Sequence, residues 1–174
     1  MRANKWSARD LGLAVAASAL ILDQVTKLLM LYGVGLFYFR PGEHISLLPF
    51  FNLVMVWNPG ISYGLFPAHG PLQITLLIVV TLGIVGGLGW WLFQTTSRMT
   101  AVGLGLAIGG AMGNNLIDRP VYGRVADFFH FYVGRFDWYV FNVADAAITF
   151  GMIALLYEAL KLELYDLQAR RKTG

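Results

Sequence analysis

Long apolar stretches alternate with shorter polar segments along the chain, and four of the apolar stretches reach the length of a membrane span. They cover residues 11–32, 72–93, 99–117 and 138–157. About 20 apolar residues cross the hydrocarbon core of a bilayer as one helix. Aromatic side chains, which favour the membrane interface, stand at span ends: Trp90, Trp91, Trp138, Tyr139 and Tyr157. The pattern predicts an all-α membrane protein with four transmembrane helices.

Two connecting segments, 33–71 and 119–137, form the loops on one side of this arrangement. The first loop is rich in proline, which disfavours helix. Its "FFNLVMVWN" segment is β-branched and aromatic, and predicts one or two short strands. Apolar side chains of this loop should rest on the membrane: Phe50, Phe51, Trp57 and Phe66. We therefore expect residues 1–174 to form a single four-span membrane domain with a small β-containing extracytoplasmic loop region.

Composition supports lipid as the solvent. Of the 174 residues, 57% are hydrophobic and 13% are charged, whereas soluble domains carry about 25% charged residues. The chain has no cysteine, which excludes disulfides, thiolate catalysis and Cys-ligated metals. A basic face interleaved with aromatic residues is missing from the sequence, so nucleic acid is not an expected partner.

The distribution of positive charge predicts the orientation. Lys and Arg are more frequent on the side of both termini, at Arg2, Lys5, Arg9, Arg98, Lys161, Arg170, Arg171 and Lys172. The other side has Arg40, Arg119, Arg124 and Arg135. Because the richer side is cytoplasmic, both termini should face the cytoplasm. The start "MRANKWSARD" and the later "ASA" resemble a cleavable secretory signal, but the apolar pattern continues to residue 32, so we expect an uncleaved span.

Polar residues from three spans and both outer loops fall in one layer near the outer surface. Asp23 and Lys27 are four residues apart and so share a helix face. Asp145 lies about 10 Å below the start of the fourth span, at 1.5 Å per residue. The others are Asn114, Asn115, Asp118, Asp127 and Asn142. An ionisable group inside a span costs about 2.5–3.5 kcal/mol and favours a functional interpretation. A structural ion-pair network is the alternative, although carboxylates outnumber cations in this layer.

Paired carboxylates are the chemistry that fits this layer best. Two carboxyl groups held together in a low-dielectric site share a proton, so that one activates water while the other protonates a carbonyl. Asp127 and Asp145 are the candidate pair, although their spacing permits contact without requiring it. A Ser62–Lys27 nucleophilic dyad is an alternative. His130 suggests a metal weakly, since no HExxH motif occurs.

Transport is the competing class of function, because carboxylates within spans also build ion pathways. A conduction path needs polar groups across the whole membrane. The inner halves of the second, third and fourth spans are nearly bare, with Glu158 the exception. A membrane scaffold without enzymatic activity is a third alternative.

Five motifs in this order, "LDQVTK", "NPGISYGLF", "GGAMGNNLIDR", "GRVADFF" and "FNVADAAITFG", resemble those of the lipoprotein signal peptidase (signal peptidase II) family. The resemblance implies an intramembrane aspartic endopeptidase that cleaves prolipoproteins before a diacylglyceryl-modified cysteine. It implies a multi-pass protein of the bacterial inner membrane, with its active site towards the outer leaflet and in contact with membrane lipid. We expect no metal, no cofactor and no covalent enzyme intermediate, and we expect the monomer to be functional.

The resemblance makes Asp127 and Asp145 the catalytic residues. It assigns substrate binding or support of the pair to Asp23, Lys27, Asn58, Gly60, Asn115, Asp118, Arg119 and Asn142. The family motif has one asparagine where "GNNLIDR" has two, and the distance to Asp118 selects Asn115 over Asn114. Asp118 is an alternative partner for Asp145, but the adjacent Arg119 should keep Asp118 ionised, which favours a structural role.

Overall fold

The computed structural model describes residues 6–60 and 70–173, and within them four helices are long and apolar enough to cross a membrane. These candidate spans are Ala8–Gly33, Pro71–Gln94, Arg98–Tyr122 and Val143–Tyr165. The protein is therefore a multi-pass membrane protein, as predicted. The first span consists of helix α1 (Ala8–Leu28) and a π-helical turn (Leu29–Gly33), and the second is α2 (Pro71–Gln94). A short 3-10 turn, Leu36–Tyr38, follows the first span.

The third span has three parts that follow one another without a break. Helix α3 (Arg98–Ala111) passes into a π-helical segment (Met112–Asp118), and α4 (Arg119–Tyr122) completes the span. The last helix, α5 (Val143–Thr173), extends beyond the apolar segment. π-helical segments often occur at functional sites, and this one contains the polar residues of the "GNNLIDR" motif.

Helix α3 lies between α1 and α5, and glycines allow the close approach. A Cβ added to Gly109 would collide with the carbonyl oxygen of Ala16 in α1. A Cβ added to Gly110 would lie 2.5 Å from the carbonyl oxygen of Ala144 in α5. Small residues permit this backbone contact between membrane helices. Helix α2 packs mainly through Leu92 and leaves most of its surface exposed.

The remaining elements form a four-stranded antiparallel sheet in the order β1-β2-β3-β4. Its strands are β1 (His44–Leu48), β2 (Phe51–Asn58), β3 (Val125–Val133) and β4 (Phe136–Asp137). An apolar cluster of Leu36, Leu53 and Phe128 supports the sheet. In the β2–β3 register Val56 pairs with Asp127 and Asn58 pairs with Val125, so Asn58 is a diagonal neighbour of Asp127 on the same face.

The structure corrects several predicted boundaries. The fourth helix begins at Val143, not at residue 138, because Phe141 still pairs with Phe129 of β3. The third span continues to Tyr122, so the second outer loop does not start at residue 119. The predicted strand segment forms one strand, β2, while β1, β3 and β4 were not predicted. Asp127 consequently lies on a strand and not in a loop.

Candidate active site

A buried lysine links the first and third spans at one end of the bundle. The Nζ atom of Lys27 lies 2.8 Å from carboxylate oxygens of both Asp23 and Asp118, and donates to Asn114 Oδ1 at 2.7 Å. All three ionised groups are nearly inaccessible. Three oxygen atoms thus surround the ammonium, which has three N–H donors, so structural contacts occupy the Lys27 side chain fully. Ser62, the other member of the alternative dyad, is outside the described residues.

Asn142 and Asp145 form a capping box at the start of α5. The backbone N–H of Asp145 donates to Asn142 Oδ1 at 3.0 Å, and the backbone N–H of Asn142 donates to Asp145 Oδ2 at 3.2 Å. Asp23 Oδ1 accepts from the N–H of Ala144 at 2.9 Å. These bonds satisfy N–H groups that have no partner within the helix. They also fix Asp145 in the first turn of α5.

Two asparagines connect the carboxylates of Asp127 and Asp145. Asn142 Nδ2 donates to Asp127 Oδ1 at 2.7 Å and to Asn114 Oδ1 at 3.0 Å. Asn114 Nδ2 donates to Asp145 Oδ1 at 2.9 Å. Asn58 Nδ2 reaches the other oxygen of Asp127 at 3.2 Å. A strand and a helix thus contribute two carboxylates to one hydrogen-bonded network.

The surroundings of Asp127 favour its protonated form. The side chain is almost completely buried, on a strand outside the spans. Burial raises the pKa of Asp127 well above its usual value, and the negative charge of Asp145 raises that pKa further. Hydrogen bonds from Asn58 and Asn142 act in the opposite direction. Two close carboxyl groups that titrate together are suited to hold one proton between them.

Arg119 ties the end of β2 to the third span. Its guanidinium donates to Asn115 Oδ1 at 2.6 Å, to the Pro59 carbonyl at 3.0 Å and to the Gly60 carbonyl. The N–H of Gly60 donates to Asn58 Oδ1 at 3.0 Å. Arg119 therefore holds the turn that positions Asn58 beside Asp127. Asp118 makes a second connection between the third span and the sheet, because its Oδ2 accepts a hydrogen bond from the N–H of Ala126 at 3.3 Å.

The two carboxylates line different cavities. Asp145 lines a cavity of about 270 Å³, whose walls also include α2 side chains, Asn114 and Arg119. Asp127 lines a cavity of about 240 Å³ next to the end of β2 and Tyr139. Asn58 lines both cavities.

Comparison with known proteins identifies the family. The family model described as Signal peptidase (SPase) II matches residues 15–161. The chain belongs to the signal peptidase II family. The lipoprotein signal peptidase of Methylorubrum extorquens is 47% identical over 150 residues, 86% of this chain and 85% of the relative. That of Rhodopseudomonas palustris is 49% identical over 155 residues, 86% and 92% of the two chains.

Solved structures agree with the fold of this signal peptidase II family member. A bacterial membrane enzyme solved by the in meso method at 2.3 Å resolution superposes with a TM-score of 0.73 at 26% identity. The match covers 86% of this chain and 87% of that chain. A second such enzyme, solved at 1.9 Å, gives a TM-score of 0.71 at 27% identity, with coverage of 86% and 92%.

The residues predicted from the signal peptidase II motifs lie in one region of the structure. The choice between the two neighbouring asparagines is the point on which the contacts differ from the prediction. Asn115 contacts Arg119, whereas Asn114, which the prediction left out, contacts Lys27, Asp145 and Asn142. Asn114 follows the buried Gly110 by four residues and precedes Asp118 by four. That helical spacing was the sequence signal for its inward position. His130 lies 3.4 Å from Asp137 on β4, and Phe66 is outside the described residues.

Proposed function

We propose that Asp127 and Asp145 are the catalytic residues of an aspartic endopeptidase that removes signal peptides from prolipoproteins. Cleavage occurs before the diacylglyceryl-modified cysteine. One observation carries this proposal: Asn142 hydrogen-bonds to both aspartates, each of which lines a cavity. Membership of the signal peptidase II family supports the same assignment.

The pair hydrolyses the peptide bond with a water molecule and one shared proton. The ionised carboxylate takes a proton from the water, and the water oxygen bonds to the carbonyl carbon before the cysteine. The protonated carboxyl gives its proton to the carbonyl oxygen. When the C–N bond breaks, a proton passes to the cysteine nitrogen, and the signal peptide leaves with a new carboxyl group. The raised pKa of Asp127 favours Asp127 as the proton donor of the first step.

The other predicted residues support this pair. Lys27 forms ion pairs with Asp23 and Asp118, which hold the starts of α5 and β3 through backbone N–H groups. With its charge opposed by Lys27, Asp118 fits a structural role better than a catalytic one. Asn58, Gly60, Asn115 and Arg119 form the edge of the cavity where substrate would lie.

The position of Asp145 sets the proposed depth of the chemistry. Asp145 is in the first turn of the fourth candidate span, close to where the chain enters the membrane. The acyl chains of a diacylglyceryl cysteine remain in the outer leaflet, which places the scissile bond at the same depth. The sheet is therefore extracytoplasmic, both termini are cytoplasmic, and the protein is in the inner membrane. One copy contains the complete set of polar residues, which supports a monomeric enzyme in contact with lipid.

Purified protein in detergent micelles should be incubated with one prolipoprotein in two forms, with and without the diacylglyceryl group on its cysteine. We expect cleavage of the lipidated form, with a product that mass spectrometry shows to begin at the modified cysteine. The unlipidated form should be cut far more slowly. Equal cleavage of both forms, or cleavage elsewhere, would contradict the proposed substrate. An ion-flux assay in liposomes tests the transport alternative, for which we expect no flux.

A further inference from the structure

Thr81 is a buried polar residue on a helix that otherwise faces lipid. Its side chain is 7% exposed, while Leu76, Val79 and Leu82 on the same helix are more than half exposed. Thr81 lines the same cavity as Asp145. Among the described α2 residues that line this cavity, Thr81 alone is polar; the others are Leu77, Val80 and Ile84.

The hydroxyl of Thr81 makes no hydrogen bond with any residue that the structure describes. Threonine hydroxyls in helices can bond back to their own backbone, and Thr26, Thr75 and Thr149 do so, at 2.7, 2.8 and 2.8 Å from the carbonyl oxygen four residues earlier. The hydroxyl of this cavity-lining residue therefore has unused hydrogen-bonding capacity close to where a substrate would lie.

A signal peptide that is cleaved inside a membrane needs hydrogen-bond partners for its backbone. Its helix must unwind around the scissile bond so that the carbonyl becomes accessible to water. Unwinding releases backbone groups from their helical hydrogen bonds, and in lipid each unsatisfied group costs several kcal/mol. The cavity wall opposite α2 is rich in polar side chains, including Asn114, Asn115 and Arg119. On the α2 side, Thr81 is the group that can satisfy the unwound backbone.

We propose that Thr81 is a positioning residue whose hydroxyl hydrogen-bonds the backbone of the unwound segment of the signal peptide, inside the cavity that Asp145 lines. This inference rests on the proposed function. The bond forms with bound substrate and persists in the transition state. Its loss should therefore raise KM and leave kcat nearly unchanged.

The test compares Thr81→Val, which keeps the shape and removes the hydroxyl, with Thr81→Ser, which keeps the hydroxyl. We expect Thr81→Val to raise KM for lipidated prolipoprotein by about threefold to tenfold, the effect of one net hydrogen bond. Thr81→Ser should stay within about twofold of the wild type, on the same reasoning. Thr75→Val is the matched control on the same helix, because the Thr75 hydroxyl bonds to Pro71 and does not line the cavity.

Binding and stability measurements separate this role from a structural one. In an Asp145→Asn background, affinity for uncleaved lipidated prolipoprotein should fall by the same factor when Thr81→Val is added. Thermal stability should not fall, because the substitution removes no hydrogen bond between Thr81 and the described residues. Cleavage by Asp145→Asn alone would defeat the proposed function, independently of Thr81.

Three results would overturn the inference about Thr81. The first is an unchanged KM and affinity in Thr81→Val. The second is an equal loss in Thr81→Val and Thr81→Ser, which would assign the effect to shape. The third is a lower melting temperature in Thr81→Val that accounts for its loss of activity.

Discussion

Asn142 combines a helix cap with a hydrogen bond to a proposed catalytic aspartate in one side chain. Its Oδ1 accepts from the N–H of Asp145 and caps α5, while its Nδ2 donates to Asp127. A carboxylate in this position would lack the N–H donors, and an apolar side chain would leave both aspartates without this link. The amide is therefore suited to hold two acidic groups close together without adding charge.

Asn114 gives a prediction that distinguishes it from other buried asparagines. Asn114→Ala removes the acceptor for Lys27 and the donor for Asp145. Leaving buried polar groups unsatisfied costs about 1–3 kcal/mol, so kcat/KM for prolipoprotein cleavage should fall about tenfold or more. The matched control is Asn52→Ala, since Asn52 is a buried asparagine on β2 whose Oδ1 has no partner among the described residues. Equal losses in both variants would contradict the role of Asn114.

The pH dependence of cleavage follows from the raised pKa of Asp127. A carboxyl group with a raised pKa keeps its proton to higher pH, so activity should fall only as the pH rises through that pKa. Asn58 donates to the Asp127 carboxylate and lowers the pKa. We therefore expect the alkaline limb of kcat/KM to move to higher pH in Asn58→Ala. A limb that moves to lower pH would contradict this electrostatic account.

The raised pKa of Asp127 also predicts how the free energy of unfolding changes with pH. Between the unfolded and the higher folded pKa, the folded protein binds more protons than the unfolded chain at Asp127. The contribution of Asp127 to the free energy of unfolding therefore decreases as pH rises through this window. Asp127→Asn, which cannot ionise, should lose less stability than the wild type over that range in thermal melts.

Sequence patterns predicted the ion pair better than the amide contacts. Asp23 and Lys27 are four residues apart in a helix, so their contact follows from helix geometry alone. The contact of Asn114 with Asp145 depends on how α3 and α5 pack, and on a π-helical segment that shifts the face. The four-residue spacing of Asn114 from Asp118 indicated an inward position, but no local rule predicted which residues Asn114 would contact.

At the scale of elements, the start of α5 decides the geometry of the pair. "NVAD" fits the capping box, with Asn142 as the N-cap and Asp145 as the third helical residue. This local signal predicts a start at Val143, but the aromatic residues before it favoured an earlier one. Strand β3 was missed for a different reason. "VADFFHFYV" is rich in strand-forming residues, yet its partner β2 is distant in sequence.

The close contact of Gly110 in α3 with α5 should be essential for stability and for cleavage. An added methyl group in Gly110→Ala would crowd the backbone of α5 next to Asp145. Overpacking of this kind costs about 1–3 kcal/mol, and cleavage should fall with the melting temperature. Gly86→Ala on α2 is the control, since a Cβ there meets nothing within 4 Å among the described residues. A stable, fully active Gly110→Ala would contradict the close packing.

At the scale of the whole molecule, the proposed site assembles at one end of the bundle from all four spans and the sheet. Helix α1 supplies the lysine, α2 a cavity wall, the third span the asparagines and Arg119, and α5 and β3 the aspartates. The number of spans followed from hydropathy alone. The meeting of β3 and α5 did not, because it depends on tertiary contacts.

The topology can be tested with single cysteines, since the chain has none of its own. Arg135 is exposed at the β3–β4 turn, and Thr96 is exposed between α2 and α3. In spheroplasts, a membrane-impermeant maleimide should label Arg135→Cys from outside and leave Thr96→Cys unlabelled until the membrane is permeabilised. The reverse labelling pattern would contradict the proposed orientation.

The most direct test of the account is the cleavage rate of lipidated prolipoprotein by Asp127→Asn and Asp145→Asn, measured beside their thermal stability and substrate affinity. Replacement of either carboxyl by an amide removes proton transfer and keeps the side-chain shape. We expect cleavage to fall by at least about three orders of magnitude, as for loss of a general acid or base, while both variants fold and bind substrate. Substantial cleavage by either folded variant would contradict the central claim that these two aspartates share the catalytic proton.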